Sequence, residues 1–239
     1  MRLRERLRRL PRLLVVTAVE MERQAVLRGL GLGGDAADQL SGRAPIVVAA
    51  GGVGPAAAAA TAARLLAIAE LTEFPFTLVA SAGVGGGIGH RAMVGATVLA
   101  SRSIAADLGA DSPDGFQSVE ELGFGSSIVD VDVANLEPLR ISLPDAVVGD
   151  VLTVSTVTGT ASTTAALLAR HPGAVAEAME GFGVASAAHQ AEAAFVELRT
   201  ISNLVGPRDR EAWRMAEALA KLEMDAGALT AALLPAVPA

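Results

Sequence analysis

Carboxylates stand at two points of the sequence where they can do acid–base chemistry. Glu20 and Glu22 directly follow an early apolar run, and Glu180 lies between Met179 and Gly181. A carboxylate held next to a reacting group can accept a proton as a general base. The alternative for Glu20 and Glu22 is a solvated first helical turn, where negative charge favours the helix dipole. For Glu180, the small neighbouring residues make simple solvation a poor explanation.

Glycine-rich segments follow two further apolar runs. Residues 51–54 read Gly-Gly-Val-Gly, and residues 83–87 read Gly-Val-Gly-Gly-Gly. Because glycine has no Cβ, such segments let the backbone come close to a bound molecule. The alternative for both segments is a plain tight turn between a strand and a helix.

One of these segments also matches a cofactor motif. Gly52, Gly54 and Ala57 satisfy the short dinucleotide-binding fingerprint, which is typical of oxidoreductases. That fingerprint normally follows the first strand, with an acidic residue ending the second strand about twenty residues later. Here it follows the second predicted strand, and the acids at that distance, Glu70 and Glu73, end a helix. The motif is therefore a weak indication of a nicotinamide cofactor.

Composition excludes several classes of function. The 239 residues contain no Cys, which excludes disulfide scaffolds, Cys-ligated metals and cysteine nucleophiles. A net charge of −7 with 3% aromatic residues argues against nucleic acid as a partner. The chain has neither a Gly-Lys-Ser/Thr phosphate loop nor a Gly-x-Ser-x-Gly nucleophile elbow. Its three histidines are too far apart in sequence for helical metal-ligand spacing.

The elements that must position these residues alternate between strand and helix. Short apolar runs predict strands at residues 13–19, 45–50, 76–82, 96–101, 151–157 and 194–201. Helical spacing predicts helices at residues 20–30, 55–70, 162–170, 181–190 and 210–232. This alternation predicts an α/β protein, with three α/β/α layers around a central mixed, largely parallel sheet. Residues 102–127 are rich in turn formers and are expected to form a long loop.

The sequence predicts one domain, residues 13–239, behind residues 1–12. These twelve residues are expected to be a flexible basic leader, and the alternative is an upstream start codon included in the reading frame. The mostly apolar run that follows the leader spans only seven residues, too few for a secretory signal. Residues 44–63 are uncharged and long enough to cross a bilayer. Their glycines and Pro55 instead favour a buried strand, a turn and a helix. We therefore expect a cytoplasmic protein that binds neither membrane nor nucleic acid.

Five segments, taken in order, resemble the nucleoside phosphorylase and nucleosidase superfamily across essentially residues 13–234. They are 18–22 (Ala-Val-Glu-Met-Glu), 51–54, 83–87, 178–181 (Ala-Met-Glu-Gly) and 199–203 (Arg-Thr-Ile-Ser-Asn). Each segment is weak evidence alone, but their order and spacing together are specific. Open α/β sheets bind ligands at loops that follow the carboxyl ends of parallel strands.

Within that superfamily, three further stretches resemble the futalosine hydrolase family. They lie at residues 201–213, 104–116 and 156–160, in the least regular parts of the chain, where a general superfamily likeness would not predict them. This resemblance implies hydrolysis of futalosine to hypoxanthine and dehypoxanthine futalosine, a step of menaquinone biosynthesis.

The resemblance also implies roles for individual residues. Glu22 aligns with the carboxylate that activates the attacking water as a general base. Glu180 aligns with the residue that accepts hydrogen bonds from the ribose hydroxyls, and Met179 is expected to pack against the sugar. Further residues expected to bind substrate are Ser81, Gly83, Gly85, Gly86 and Val157.

Two positions narrow the expected reaction. Related phosphorylases carry a phosphate-binding Arg where this chain has Ser81, so water is the expected nucleophile, although Arg23 or Arg91 remains available to bind phosphate. Adenine-cleaving nucleosidases place an Asp, which protonates purine N7, where this chain has Asn203. An amide is not an acid, but it can donate to O6 and accept from a protonated N7. Asn203 is therefore expected to be catalytic alongside Glu22, with a 6-oxopurine as the base.

The benzoate of futalosine needs a cationic partner, for which Arg208, Arg210 and His90 are candidates. Trp213 can form an apolar wall beside it. All four can instead be surface or packing residues.

The resemblance implies no metal and no organic cofactor, a small nucleoside as the partner, and a homo-oligomer, either dimer or tetramer. Three alternatives remain open. One is a purine nucleoside phosphorylase or another 6-oxopurine nucleosidase. The others are a dinucleotide-dependent oxidoreductase and a non-catalytic nucleoside-binding module.

Overall fold

The computed structural model of the chain describes residues 11–32 and 44–233. Most of the expected leader, residues 1–10, lies outside the described residues. The strands are β1 (Leu13–Thr17), β2 (Ile46–Ala50), β3 (Leu78–Gly87), β4 (Thr97–Ala105), β5 (Gly109–Ser112), β6 (Gly115–Ser118), β7 (Ile128–Asp130), β8 (Val147–Thr153), β9 (Ala174–Ala178) and β10 (Ala194–Leu204). The helices are α1 (Glu20–Gly29), α2 (Pro55–Leu71), α3 (Val133–Ser142), α4 (Ala161–Arg170), α5 (Gly181–Gln190) and α6 (Met215–Leu233).

Arg12, at the end of the expected leader, is buried against the fold. Its Nε donates to the carbonyl of Ala44 at 3.0 Å, and its guanidinium lies 4.4 Å from the ring centre of Phe76. The described chain is thus already attached to the domain one residue before β1.

The sheet is mixed, which confirms the α/β class predicted from the sequence. β1 pairs in parallel with β2 on one side and with the first half of β3 on the other. Beyond β1, Gly86 and Gly87 of β3 pair antiparallel with β9. The other edge of β3 pairs in parallel with β10 along its whole length. Because β9, β8, β4 and β10 are neighbours in that order, five strands close into a barrel, which the sequence did not predict.

The third predicted strand, residues 76–82, was expected to end before the glycines, but residues 83–87 continue β3, so the predicted end of that strand is wrong. Glycine in a strand often marks a bend or a close approach of another backbone. A Cβ at Gly87 would overlap the carbonyl of Ala92, and one at Gly85 would lie 3.0 Å from the carbonyl oxygen of Glu177. The glycines therefore allow β3 to leave the open sheet and enter the barrel.

The prediction of a long loop at residues 102–127 is also wrong. β4 extends to Ala105, and β5 and β6 form an antiparallel hairpin. The turn formers that suggested a loop connect these two strands, with Gly115 at a positive φ of 117°. The short elements β7, α3 and β9 were not predicted either, because each is brief and only weakly periodic.

Helices pack on the sheet in pairs that lie far apart in sequence. α1 contacts α6, where Gly29 lies against the backbone of Glu223, and α2 contacts α5. Residues 44–63 form β2, the glycine turn and the first half of α2. None of the helices in the described part of the chain is long and apolar enough to cross a membrane.

The contact between α2 and α5 allows a test of the packing. A Cβ at Gly183 would overlap the backbone carbonyl of Pro55. We expect Gly183→Ala to lower the free energy of unfolding by about 1–3 kcal/mol, because overpacking must push the helices apart. Thermal unfolding measures the change. Gly159→Ala is the control, since a Cβ there meets no atom within 4 Å. Equal melting temperatures for the two variants would contradict the close packing.

Candidate active site

A cavity of about 390 Å³ lies where the open sheet meets the barrel. It brings together most of the site residues predicted from the sequence: Glu22, Gly85, Gly86, Val157, Met179, Glu180, Asn203, Arg208 and Trp213. The other two, Ser81 and Gly83, do not line it. Ser81 is fully buried behind the wall, and Gly83 lies against the Glu22 carboxylate, which a Cβ at that position would approach to 2.6 Å.

Glu22 is held by three backbone amides, two just before α1 and one in β3. Its Oε2 accepts hydrogen bonds from the amides of Ala18 at 2.9 Å and Val19 at 3.2 Å, which caps the helix. Its Oε1 accepts from the amide of Val84 at 2.8 Å. Burial raises the pKa of Glu22 above its usual value, and the Val84 amide and the charge of Arg199 offset only part of that rise. Glu22 is therefore a buried carboxylate and not a solvated residue of the first helical turn.

The neighbouring Glu20 fits the alternative interpretation. It is exposed and accepts hydrogen bonds from Arg23 at 2.8 Å and Gln24 at 2.6 Å. It does not line the cavity. Of the two carboxylates that follow β1, only Glu22 is thus placed to act there.

Glu180 lies opposite Glu22 at the start of α5. Its Oε1 accepts from the amide of Gly54 at 3.1 Å, and its Oε2 accepts from Nη1 of Arg199 at 3.4 Å. Gly54 belongs to the segment that matched the dinucleotide fingerprint. A carboxylate bound to that turn would repel a pyrophosphate. The fingerprint is therefore a tight turn in this protein, and it serves to hold Glu180.

Arg199 connects the back of the cavity to the core. It is completely buried, and its Nε donates to Glu197 at 3.0 Å while its Nη2 donates to the hydroxyl of Ser81 at 2.7 Å. Burial alone would lower the pKa of Arg199, but the surrounding carboxylates, above all Glu197, raise it. Burial raises the pKa of Glu197, which the charge of Arg199 only partly offsets. One guanidinium thus faces the carboxylates of Glu22, Glu180 and Glu197.

Arg199 and Glu197 had no site role predicted from the sequence. The signal that could have found them is their spacing in β10, where charges two residues apart interrupt an apolar run. Side chains at that spacing share one face of a strand. An acid and a base on the same face of a buried strand indicate an internal ion pair.

The wall that faces the expected base carries an amide and a further carboxylate. Asn203 is the second-last residue of β10, and its Oδ1 accepts from the hydroxyl of Ser202 at 2.9 Å. Glu177 of β9 is buried and accepts hydrogen bonds from the amide of Thr158, at 2.8 Å, and from its hydroxyl. Burial raises the pKa of Glu177, although the bonds from Thr158 oppose the rise. Glu177 was not predicted as a site residue, because the sequence pattern did not predict β9.

The two arginines considered as phosphate ligands are engaged elsewhere. Arg23 donates to the carbonyl of Val48 at 3.0 Å, and Arg91 donates to the carbonyl of Ala174 at 2.7 Å. Neither lines the cavity, and Ser81 is bound to Arg199 behind it. Among the described residues of the cavity wall, the free guanidinium is that of Arg208.

Of the four residues considered as partners for the benzoate of the substrate, two line the cavity and two do not. Arg208 and Trp213, in the segment between β10 and α6, line the cavity. Arg210 and His90 do not. The structure therefore places one cationic and one aromatic side chain together on this part of the wall.

Comparison with known proteins identifies the class. The family model of the Phosphorylase superfamily matches residues 36–236, and the chain belongs to that superfamily. This confirms the superfamily predicted from the five motifs.

Individual relatives narrow the family further. The chain is 49% identical to futalosine hydrolase from Streptomyces coelicolor over 226 residues, 92% of this chain and 96% of that one. It is 45% identical to futalosine hydrolase from Acidothermus cellulolyticus over 228 residues, 92% of this chain and 90% of that one. Within the superfamily, its family is therefore that of the futalosine hydrolases.

A solved structure supports the fold. A 5'-methylthioadenosine/S-adenosylhomocysteine nucleosidase from Colwellia psychrerythraea, in complex with adenine, superposes with a TM-score of 0.76. The match has 19% identity and covers 97% of this chain and 99% of that chain. The mixed α/β architecture is thus shared with a nucleosidase.

The buried guanidinium allows a test of the charge balance. Arg199→Met keeps the length of the side chain but leaves Glu180 and Glu197 without their cation. Removing one partner of a buried ion pair typically costs about 3–5 kcal/mol, so the free energy of unfolding should fall by that order. Chemical denaturation measures the free energy of unfolding. Arg102→Met is the control, because the arginine of the Arg102–Asp150 pair is half-exposed and its loss should cost less.

The pH dependence of the same measurement adds a second test. In the folded variant burial keeps the pKa of Glu197 raised above the usual 4.5. The contribution of Glu197 to stability is fully present below that value and is lost as the pH rises through the raised pKa. The deficit of Arg199→Met should therefore shrink towards acid pH. A deficit that equals that of Arg102→Met, or does not change with pH, would contradict the buried charge network.

Proposed function

We propose that the chain hydrolyses the N-ribosidic bond of futalosine, which releases hypoxanthine and leaves dehypoxanthine futalosine, as a step of menaquinone biosynthesis. The observation that carries the proposal is the meeting of two buried carboxylates, Glu22 and Glu180, on one cavity whose wall also holds Asn203. The identity of the chain to two futalosine hydrolases supports the choice of substrate.

Glu22 is the proposed general base. Its Oε1 accepts one hydrogen bond, from the amide of Val84, so a second lone pair remains for a water molecule. The water oxygen forms a bond to the anomeric carbon, and its proton passes to Glu22. The C–N bond breaks, and its electron pair leaves with the purine. The purine takes a proton from solvent, and Glu22 returns the proton of the attacking water to solvent, so that neutral hypoxanthine is released. Because the pKa of Glu22 is raised by burial, the carboxylate is a stronger base than one in solvent.

Glu180 and Met179 are the proposed ribose contacts. The Glu180 carboxylate accepts from Gly54 and Arg199, which fixes its position and leaves lone pairs for two ribose hydroxyls. Such bonds strengthen as positive charge develops on the sugar in the transition state. Met179 lines the cavity next to Glu180 and offers an apolar surface to the sugar.

Asn203 is the proposed contact to the departing base. Its amide can donate to O6 and accept from N7–H once the purine has gained a proton. This pattern fits hypoxanthine. Gly85 and Gly86 beside it let the backbone approach the nucleoside.

Water is the proposed nucleophile because the described cavity wall has few cationic groups that could bind phosphate. A phosphorylase must bind a dianion, usually with Arg. Ser81 occupies the position of that Arg and is bound to Arg199, while Arg23 and Arg91 are engaged with backbone carbonyls. Arg208, the remaining cation on the described wall, is the proposed partner of the benzoate, with Trp213 as the apolar surface beside it.

Several further features stay proposals that rest on the family resemblance. These are a cytoplasmic location, a dimeric or tetrameric assembly and the absence of a metal or organic cofactor. For the architecture, we propose three layers with a largely parallel sheet outside the closed barrel. The parallel pairing of β2, β1 and β3 supports it.

One assay tests the proposed function. The protein is incubated with futalosine, inosine or methylthioadenosine, with and without phosphate, and the products are separated by chromatography. We expect futalosine in phosphate-free buffer to yield free hypoxanthine and dehypoxanthine futalosine, whose pentose carries no phosphate at the anomeric carbon. A strict requirement for phosphate, with a pentose 1-phosphate as product, would assign the protein to the phosphorylases. Preferred cleavage of methylthioadenosine would overturn the choice of base.

Glu22→Gln tests the assignment of the base. Glutamine keeps the shape of the side chain but does not take a proton from water. We expect turnover of futalosine to fall by a factor on the order of 100 or more, with folding intact. Glu20→Gln is the matched control, because it makes the same change two residues away on an exposed side chain and should leave turnover unchanged. Near-normal turnover in Glu22→Gln would show that the base is another residue.

A further inference from the structure

Glu177 is a buried carboxylate on the cavity wall to which the proposed reaction gives no role. It is 5% exposed, and each of its oxygens accepts one hydrogen bond from Thr158. Each oxygen therefore keeps a lone pair for a further donor. Burying an ionised group costs free energy unless it is paired and hydrogen-bonded. A carboxylate in this place suggests that a ligand supplies the missing donor.

The register of the sheet places Glu177 and Asn203 on either side of Gly86. Gly86 pairs with Glu177 on one edge of β3 and with Asn203 on the other edge. Residues paired across neighbouring strands direct their side chains to the same face. Because neighbouring strands lie about 4.8 Å apart, the Cα atoms of Glu177 and Asn203 are separated by roughly 10 Å. All three residues line the cavity.

Gly86 lies between the strands that carry the two polar side chains. A Cβ at this position would lie 2.8 Å from Cγ2 of Val205 and 3.4 Å from Nδ2 of Asn203. The side chain of Val205 therefore packs over Gly86 beside the amide of Asn203. The amide of Asn203 and the carboxylate of Glu177 border the same cavity of about 390 Å³.

The chemistry of the purine edge fits this pair. A 6-oxopurine presents the acceptor O6 beside the donor N1–H, whereas a 6-aminopurine has a bare acceptor nitrogen at N1. An ionised carboxylate can only accept hydrogen bonds. The amide and the hydroxyl of Thr158 both donate to Glu177, which stabilises its ionised form.

We propose that Glu177 accepts the N1–H of the bound base and so selects a 6-oxopurine over a 6-aminopurine, with Thr158 as its positioning residue. This inference rests on the proposed function and deepens it. Asn203 then reads the O6 and N7 side of the ring while Glu177 reads N1. A 6-aminopurine would place its N1 lone pair against the carboxylate, which leaves two acceptors facing each other.

Glu177→Gln tests the inference. The glutamine oxygen can still accept from the Thr158 amide, while its NH₂ group turns a donor towards N1. We expect kcat/KM for futalosine, divided by kcat/KM for its 6-amino analogue, to fall roughly 10- to 100-fold. Asp209→Asn is the matched control, because it removes the same charge from the same cavity at the segment after β10. It should change both rates by a similar factor and leave their ratio unchanged.

A substrate analogue tests the same contact without altering the protein. The 1-deaza analogue of futalosine carries C–H in place of N1–H and keeps the shape of the base. Wild-type kcat/KM should fall by a similar factor of roughly 10- to 100-fold. An unchanged ratio in Glu177→Gln, or full activity on the 1-deaza analogue, would overturn the role of Glu177 while the proposed function stands. A wild-type protein that cleaves neither futalosine nor its 6-amino analogue would overturn both.

Discussion

Arg199 is fully buried between Glu180 and Glu197, close to Glu22, and arginine keeps its proton under all ordinary conditions. A fixed positive charge of this kind makes it possible to keep several carboxylates out of water at one place. It does not neutralise all of them, and for this reason burial still raises the pKa of Glu22 and Glu197. The same guanidinium holds Ser81 behind the cavity and Glu180 at its wall. The charge balance of the core and the chemistry of the cavity thus depend on one side chain.

The path of β3 is the second constraint. Its first half belongs to the open sheet with β1, and its glycine-rich end belongs to the barrel with β9 and β10. Glu22 follows β1, whereas Glu177 and Asn203 belong to the barrel strands. The proposed general base and the groups proposed to hold the purine therefore come from two parts of one sheet. They meet because glycine allows β3 to pass from one part to the other.

The sequence predicted those features that depend on local patterns. The apolar runs located most of the strands, and the placing of Glu22 and Glu180 on one cavity followed from the resemblance of five ordered segments to a known superfamily. The closed barrel was not predictable in this way, because it depends on the pairing of β3 with β10, more than a hundred residues later. The strand at residues 83–87 was missed because glycine normally argues against a strand, and only the close approach of Ala92 and Glu177 explains it. Glu177 was missed because it interrupts the short apolar run that forms β9.

The central claim is that a buried carboxylate, Glu22, takes the proton of the attacking water. The most direct measurement is kcat for futalosine as a function of pH. Only the ionised form of Glu22 is a base, and its pKa lies above the usual 4.5. The rate should therefore rise with pH on the acid side of the profile, with a midpoint above 4.5. Because Glu22 interacts with neighbouring charged groups, this midpoint is an apparent pKa. A rate that stays constant through this region, or a midpoint at or below 4.5, would contradict the account.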